Sequence, residues 1–114
     1  MTNKDLFLPE FPTLKDFQKY VADLEKIRGF EKESVINECL RVGEEIGELF
    51  KAVRKSQGLS IDNNSNFSSV SEELADIFIY LLSISNRFNI NLENAFIAKE
   101  RKNYERIWKA EDIV

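Results

Sequence analysis

Apolar residues recur at steps of three and four along four segments of the chain, and short polar segments separate them. This spacing places the apolar side chains on one face of an α-helix. The first segment, 14–27, follows Thr13, which with Asp16 in place of the usual Glu has the form of a capping box, and Gly29 suits its C-terminal cap. The second runs from about residue 33 to residue 56, and its apolar stripe comprises Val35, Cys39, Val42, Ile46, Leu49 and Val53.

The third and fourth segments are also bounded by capping signals. The third covers about residues 68–88, and Ser69 with Glu72 has the form of a second capping box at its start. Asn91 is the expected N-cap of the fourth segment, which runs over about residues 92–108.

Polar and proline-containing stretches complete the pattern. The polar, turn-rich stretch 58–66 predicts an exposed loop. Pro9 and Pro12 disfavour helix, so residues 1–12 are expected to form an extended N-terminal arm. The chain is therefore predicted to be all-α, with a four-helix bundle formed by a single domain over residues 1–114.

Composition and charge exclude several classes of function. The net charge of −4 argues against a nucleic-acid-binding domain, which needs a basic face. The chain has no His and only one Cys, Cys39, so it lacks the usual ligands of zinc and haem and the residue pairs of Ser-His and Cys-His catalysis. A bound metal must therefore have oxygen ligands, which suits Mg²⁺ or Mn²⁺. Without an internal disulfide, a membrane-spanning segment or a signal peptide, we expect a cytoplasmic protein that does not contact membranes.

The third predicted helix carries one polar stripe on an otherwise apolar surface. Its polar residues Glu73, Asp76, Tyr80, Ser83 and Arg87 fall within a wedge of about 80° on the helix. The rest of the helix surface is apolar, so the helix is expected to be buried on most sides. Three partner helices of one copy would not cover all of this apolar surface, so we expect a homo-oligomer. Buried carboxylates at the head of the stripe need a partner, and a cation is the simplest one.

A second acidic pair lies on the second helix, where Glu45 and Glu48 share a face and Glu44 points more toward solvent. Two packed helices can bring this pair opposite Glu73 and Asp76, which would create a site for a hard cation. Each pair has a simpler interpretation: Glu45 and Glu48 as a solvated helix face, and Glu73 and Asp76 as favourable charge at a helix start.

The fourth predicted helix carries a basic cluster. Lys99, Asn103 and Arg106 share one face, whereas Arg101 and Lys102 lie off it. The shared face could bind phosphate oxygens by charge-assisted hydrogen bonds. Cations near a helix end are also often only solvated or balance the helix dipole, and both interpretations remain open.

Together, these motifs resemble those of the MazG-like nucleotide pyrophosphohydrolases. That family shows a Glu-Glu-x-x-Glu motif, a later Glu-x-x-Asp motif and a Lys-x-x-x-Asn-x-x-Arg stretch. In this chain the matching residues are Glu44, Glu45 and Glu48, then Glu73 and Asp76, then Lys99, Asn103 and Arg106. The flanking stretches 28–30 and 89–93 are similar too, and the resemblance spans about residues 14–108.

The resemblance implies an all-α NTP pyrophosphatase fold, a homodimer or homotetramer, and Mg²⁺-dependent hydrolysis of an NTP or dNTP to the monophosphate and pyrophosphate. It implies metal binding by Glu45, Glu48, Glu73 and Asp76. It places Tyr80, Lys99, Asn103 and Arg106 near the nucleotide. Phe17, Tyr20 and Phe30 are candidates for contact with the base.

In the expected reaction, water attacks the α-phosphorus in line, and a spare carboxylate, Glu48 or Glu44, accepts its proton. A sister activity on dUTP or phosphoribosyl-ATP is an alternative that the sequence does not separate from this one. A non-catalytic helical module that only dimerises or binds a protein partner is a further alternative, and it would need no Mg²⁺.

Overall fold

The computed structural model describes residues 1–59 and 69–113, with side chains up to residue 106. Four α-helices form: α1 (Leu14–Arg28), α2 (Val35–Ser56), α3 (Val70–Arg87) and α4 (Leu92–Ile113). Short 3-10 helices at Asn3–Asp5 and Phe30–Lys32 precede α1 and α2, and the described residues contain no strand. The predicted all-α fold is therefore confirmed. None of the described helices combines the length and hydropathy that a membrane span requires.

The ends of α1 follow from the predicted local signals. The Asp16 carboxylate accepts a hydrogen bond from the Thr13 backbone N–H at 2.8 Å, and Thr13 Oγ1 accepts one from the Asp16 N–H at 3.3 Å. Gly29 ends the helix with φ 73°, a left-handed conformation that costs glycine little. A similar box between Thr2 and Asp5 closes a 3-10 turn within the N-terminal arm.

The later helices are also capped as predicted. At the start of α3, Ser69 accepts a hydrogen bond from the Glu72 N–H at 3.2 Å, which is one of the two bonds of the predicted capping box. Asn91 accepts one from the Asn94 N–H at 2.9 Å at the start of α4. This helix continues to Ile113 rather than ending near residue 108. Beyond residue 59, the predicted loop over 58–66 lies outside the described residues.

The core lies where α1 packs against α3. Its buried members are Val21, Leu24 and Leu82. Half-buried apolar residues surround them, namely Leu6, Leu14, Phe17, Tyr20, Phe78 and Leu92. The rings of Phe17 and Phe78 meet edge to face with their centroids 5.7 Å apart. The remaining contacts join α2 along the length of α3, and α4 chiefly to α1.

The buried face of α2 differs from the predicted apolar stripe. The buried residues of this helix are Glu38 and Ala52, whereas Ile46 and Val53 of the stripe are exposed. The difference arises because α2 turns polar side chains toward α3, where Glu38 accepts a 2.7 Å hydrogen bond from Ser83. Polar contacts, rather than apolar ones alone, therefore orient α2.

A single copy of the chain leaves large apolar side chains in contact with solvent. Ile36, Leu40 and Phe50 of α2 are exposed, Ile36 by 74%. Leu74 and Leu81 of α3 are exposed as well, so in one copy this helix is not buried on most sides. Apolar surface of this extent is unusual on a monomer.

The Gln18 side chain fixes the start of α4. Its Nε2 donates hydrogen bonds to the Ile90 carbonyl at 2.8 Å and to Asn86 Oδ1 at 3.1 Å. Its Oε1 accepts one from the Leu92 N–H at 3.0 Å, and Asn86 Nδ2 donates to the Gln18 carbonyl at 2.9 Å. One amide from α1 thus binds the end of α3, the turn and the first residue of α4.

Candidate active site

Three carboxylates from two helices converge at the α2–α3 interface. Glu45 of α2 and Glu73 and Asp76 of α3 each place one oxygen within 4.8 Å of the others. Positions 73 and 76 share a face because they are three residues apart, and α2 brings Glu45 to the same place. Glu73 is only 4% exposed, whereas Asp76 is exposed. The three carboxylates therefore form a compact set of oxygen donors that is partly buried and partly accessible to solvent.

This convergence alters the acid–base behaviour of Glu45. A hydrogen bond with Glu73, burial, and the charges of Glu73, Asp76 and Glu48 raise the pKa of Glu45 to about 7. Two carboxylates in hydrogen-bond contact hold a proton between them because their charges otherwise repel. A divalent cation can replace that proton, so the donor set fits Mg²⁺ or Mn²⁺.

We expect the metal-free protein to lose stability as the pH rises from 4.5 to about 7. In this interval the folded state retains the Glu45 proton that the unfolded chain has lost, so the free energy of unfolding falls with pH. Mg²⁺ should restore it above the pKa, because the cation stabilises the ionised form. Thermal unfolding in EDTA and in Mg²⁺ across this range measures both effects. A melting temperature that increases with pH in EDTA, or an equal slope in Glu45→Gln, would contradict the assignment.

The other two acids of the Glu-Glu-x-x-Glu motif on α2, Glu48 and Glu44, do not belong to this cluster. Glu48 is half-buried, its charge acts on Glu45, and its Oε1 lies 3.6 Å from Lys51 Nζ. It was expected as a fourth metal ligand, but it is not one of the three carboxylates that converge. Glu44 is exposed, as its place on the helix predicts.

A cavity of about 230 Å³ opens between α1, α2 and α3, next to the acid cluster. Its lining residues are Leu24, Glu25, Arg28, Phe30, Glu33, Glu38, Arg41, Glu45, Asp76, Ile79, Tyr80 and Ser83. Drug-sized ligands occupy pockets of about 300–1,000 Å³. The cavity is therefore suited to part of a nucleotide, with the remainder in solvent.

Two arginines bring positive charge to the same cavity. Arg28 closes α1, and Arg41 lies one helical turn before Glu45 on α2. The guanidinium of Arg41 lies 2.8 Å from Glu33 Oε1. A hydrogen bond with Tyr80, together with the Glu33 charge, raises the pKa of Arg41. Acidic and basic groups thus face one space, as a site for a metal and a polyphosphate requires.

Beyond Arg41, a second pair of acids lies deeper between the helices. Glu38 is 3% exposed and Glu25 is 8% exposed. Ser83 Oγ donates a 2.7 Å hydrogen bond to Glu38 Oε1, and Arg87 Nη2 lies 3.3 Å from the same oxygen. Arg87 Nε lies 3.9 Å from Glu25 Oε2. Burial and the Glu38 charge raise the pKa of Glu25, against the opposing hydrogen bond from Ser83.

Arg87 also holds the connection between α1 and α2. Its Nη1 donates a 2.6 Å hydrogen bond to the Glu33 carbonyl, and its Nη2 donates one of 2.9 Å to the Phe30 carbonyl. One guanidinium therefore positions the 3-10 segment that carries Phe30, one wall of the cavity.

The basic residues of α4 lie away from this cavity in the single chain. Lys99 and Asn103 line a different, mostly apolar space beside Leu14 and Phe78, and Arg106 is exposed. The structure thus does not bring these residues of α4 to the acid cluster of the same copy.

The aromatic candidates divide between two cavities. Phe30 lines the cavity beside the acids, whereas Phe17 and Tyr20 line a separate apolar space against the core. Tyr80, expected near the nucleotide, lines the first cavity too.

Glu25, Glu38 and Arg41 are site residues that the motif analysis missed. For α2 a signal was present, because Glu38, Arg41, Glu45 and Glu48 follow one another at steps of three and four. These four residues fall within about 80° of one another on the helix. They form a polar stripe with the same spacing as the polar stripe on α3. Glu25 had no such signal, since it continues the apolar spacing of α1.

Comparison with known families agrees with this arrangement of helices and acids. A search of curated proteins gave no match to the chain. The family model for the MazG nucleotide pyrophosphohydrolase domain matches residues 30–108, which include every residue of the acid cluster. The match covers well over half of the chain, and the protein therefore belongs to the MazG nucleotide pyrophosphohydrolase domain family.

Proposed function

We propose that this protein is a Mg²⁺-dependent pyrophosphohydrolase that converts an NTP or dNTP to the monophosphate and pyrophosphate. The observation that carries the proposal is the convergence of Glu45, Glu73 and Asp76 beside a cavity that also contains Arg28 and Arg41. Family membership supports the same reaction class.

Each group at the cavity has a proposed role. Glu45, Glu73 and Asp76 hold the metal, which when bound supplies Lewis-acid neutralisation of charge on the phosphate oxygens. Arg28 and Arg41 donate charge-assisted hydrogen bonds to the remaining phosphate oxygens. They orient the triphosphate so that the α-phosphorus faces the acids.

The chemical step is the in-line attack of water on the α-phosphorus. A bond forms between the water oxygen and the α-phosphorus, the bond to the bridging oxygen breaks, and pyrophosphate leaves. Glu48 accepts the proton of the water, since it is half-buried beside the cluster and is not among the three converging carboxylates. The exposed carboxylate of Glu44 is less suited to this role.

A substrate panel tests the reaction. The protein is incubated with canonical NTPs and dNTPs, dUTP and phosphoribosyl-ATP, in Mg²⁺ or in EDTA, and the products are separated. We expect equal amounts of monophosphate and pyrophosphate in Mg²⁺ and none in EDTA. Release of orthophosphate would indicate attack at the γ-phosphorus and contradict the proposal. The absence of turnover on every substrate would favour a non-catalytic helical module.

The protein is also proposed to act as a homo-oligomer, a dimer or a tetramer. The exposed apolar side chains of α2 and α3 support this proposal, because a second copy can cover them. In such an assembly, α4 of one copy can reach the site of another. This arrangement reconciles the proposed phosphate contacts of Lys99, Asn103 and Arg106 with their distance from the acids of their own copy.

Alanine substitution of Lys99, Asn103 or Arg106 is expected to lower kcat/KM by about 10- to 150-fold, because charge-assisted hydrogen bonds are worth about 1.5–3 kcal/mol. Thermal stability should change little. Arg101→Ala and Lys102→Ala are matched controls on the same helix but off the shared face. If the controls impair turnover as much, the basic cluster attracts polyanions without specific contacts. A fully active 13.3 kDa monomer by light scattering would exclude the contribution of a second copy.

A further inference from the structure

The cavity beside the metal-binding acids has two chemically different ends. Glu45 and Asp76 lie at one end, and Glu38 with Ser83 lies at the other. The order of these contacts shows that α2 and α3 run antiparallel. Seven residues of α2 separate Glu38 from Glu45, about 10 Å along the helix axis. A nucleotide with its phosphates at the acid cluster would thus extend its sugar and base toward Glu38.

The Glu38 end contains buried carboxylate oxygens that the surrounding side chains do not satisfy. Two buried carboxylates, Glu25 and Glu38, face the single guanidinium of Arg87. Glu25 Oε1 and Glu38 Oε2 are buried and have no hydrogen-bond partner among the described residues. A buried polar atom without a partner costs about 1–3 kcal/mol, and more if it is charged. Both residues line the cavity, so a ligand that enters it can supply the missing donors.

We propose that these two carboxylates select a nucleobase that bears an exocyclic amino group, such as cytosine or adenine, over one with a carbonyl in that position. The proposal rests on the proposed nucleotide pyrophosphohydrolase function, and it names the substrate class of that site. An ionised carboxylate only accepts hydrogen bonds. An amino group satisfies the free oxygens, whereas a carbonyl oxygen would face them with a second acceptor and leave them buried without a partner.

The walls of this end suit a flat, partly apolar ring. Phe30, Ile79 and Leu24 line the same cavity as the two carboxylates. Phe30 is held in place because Arg87 binds its carbonyl. Arg87 therefore contacts both the residues with the unpartnered carboxylate oxygens and the segment that carries Phe30, against which a base can stack.

Two matched pairs of nucleotides isolate the amino group. Cytosine and uracil nucleotides differ by an amino group in place of a carbonyl, as do adenine and hypoxanthine nucleotides. We expect wild-type kcat/KM to favour CTP over UTP and ATP over ITP by about 10- to 150-fold, the value of one charge-assisted hydrogen bond. Calorimetric titration of CMP, UMP, AMP and IMP in EDTA should show the same order of affinity without metal or turnover.

Variants assign the preference to the carboxylates. Glu38→Gln and Glu25→Gln introduce an amide that can donate to a carbonyl, so each should reduce the preference and improve UTP and ITP relative to CTP and ATP. Glu93→Gln is the matched control, an exposed carboxylate of α4 that does not line the cavity and is not among the charges that act on Glu25. Circular dichroism identifies a variant that fails to fold, in which case the wild-type pairs alone decide.

The outcomes separate this inference from the proposed function. Turnover with equal kcat/KM within both pairs would overturn the amino-group preference and leave the pyrophosphohydrolase function intact. Binding of CMP and AMP over UMP and IMP without any turnover would support the preference and overturn the function. A preference for UTP and ITP would overturn the inference directly.

Discussion

Glu45→Gln and Asp76→Asn are each expected to lower Mg²⁺-dependent pyrophosphate release by more than about 100-fold. Even an outer-sphere partner of a metal ligand is worth about 10- to 100-fold in affinity or activity, and these residues are the proposed ligands themselves. Both substitutions keep the size of the side chain, so far-UV circular dichroism should remain that of the wild type. Turnover near the wild-type level in either variant would contradict the ligand assignment.

The same variants have a second readout that does not depend on activity. Mg²⁺ should raise the melting temperature of the wild type by binding the folded state, and Glu45→Gln should lose most of that increase. In EDTA the variant should be at least as stable as the wild type above the pKa of Glu45, because it lacks the repulsion among the three carboxylates. Glu72→Gln, beside Glu73 but exposed, is the control that should keep both turnover and the response to Mg²⁺.

Arg87→Met is expected to cause the largest loss of stability in the chain. The substitution keeps an apolar stem but leaves the carboxylates of Glu25 and Glu38 buried without a counter-charge, while the carbonyls of Phe30 and Glu33 lose their donor. Breaking a buried ion pair by removing one partner costs about 3–5 kcal/mol. For a domain of this size, that lowers the melting temperature by more than about 12 °C.

Two comparisons test the cause of that loss. Lys19→Met removes an ion pair with Asp23 in which the lysine is 77% exposed, and it should cost less than about 1 kcal/mol. In Arg87→Met, the unpaired carboxylates bind protons more readily when folded than when unfolded. The stability of this variant should therefore rise as the pH falls toward the ordinary pKa of glutamate. A variant whose deficit is the same at all pH values would show that lost packing, rather than unpaired charge, is responsible.

The helices and their ends could be predicted because their signals are local. Thr13, Gly29, Ser69 and Asn91 each act within three or four residues of their own position, so the sequence alone shows them. The acidic pairs on α2 and α3 were visible for the same reason. The spacing of the two acidic pairs predicts that α2 and α3 bring them together, and three of the four expected carboxylates do converge.

The deeper part of the site could not be predicted from spacing. Glu25 sits where an apolar residue is expected, and although Glu38 continues the polar stripe of α2, that spacing does not reveal that both residues are buried in contact with Arg87. That contact joins residues far apart in the chain, from three different helices. The position of α4 could not be predicted for a related reason. The pattern of residues along one helix does not determine which cavity or neighbouring helix those residues will face.

The amide of Gln18 has a mechanical consequence for α4. This helix has 22 residues and is therefore about 33 Å long, and the hydrogen bonds of Gln18 hold it at its first residue, Leu92. Arg106 lies about 21 Å from that pivot along the helix axis. A rotation of only about 5° at the pivot would displace the backbone of Arg106 by about 2 Å over that length, comparable to the difference between a direct hydrogen bond and none. In the proposed assembly, the geometry of this single amide on α1 would therefore affect where the cations of α4 lie relative to the phosphates of a nucleotide.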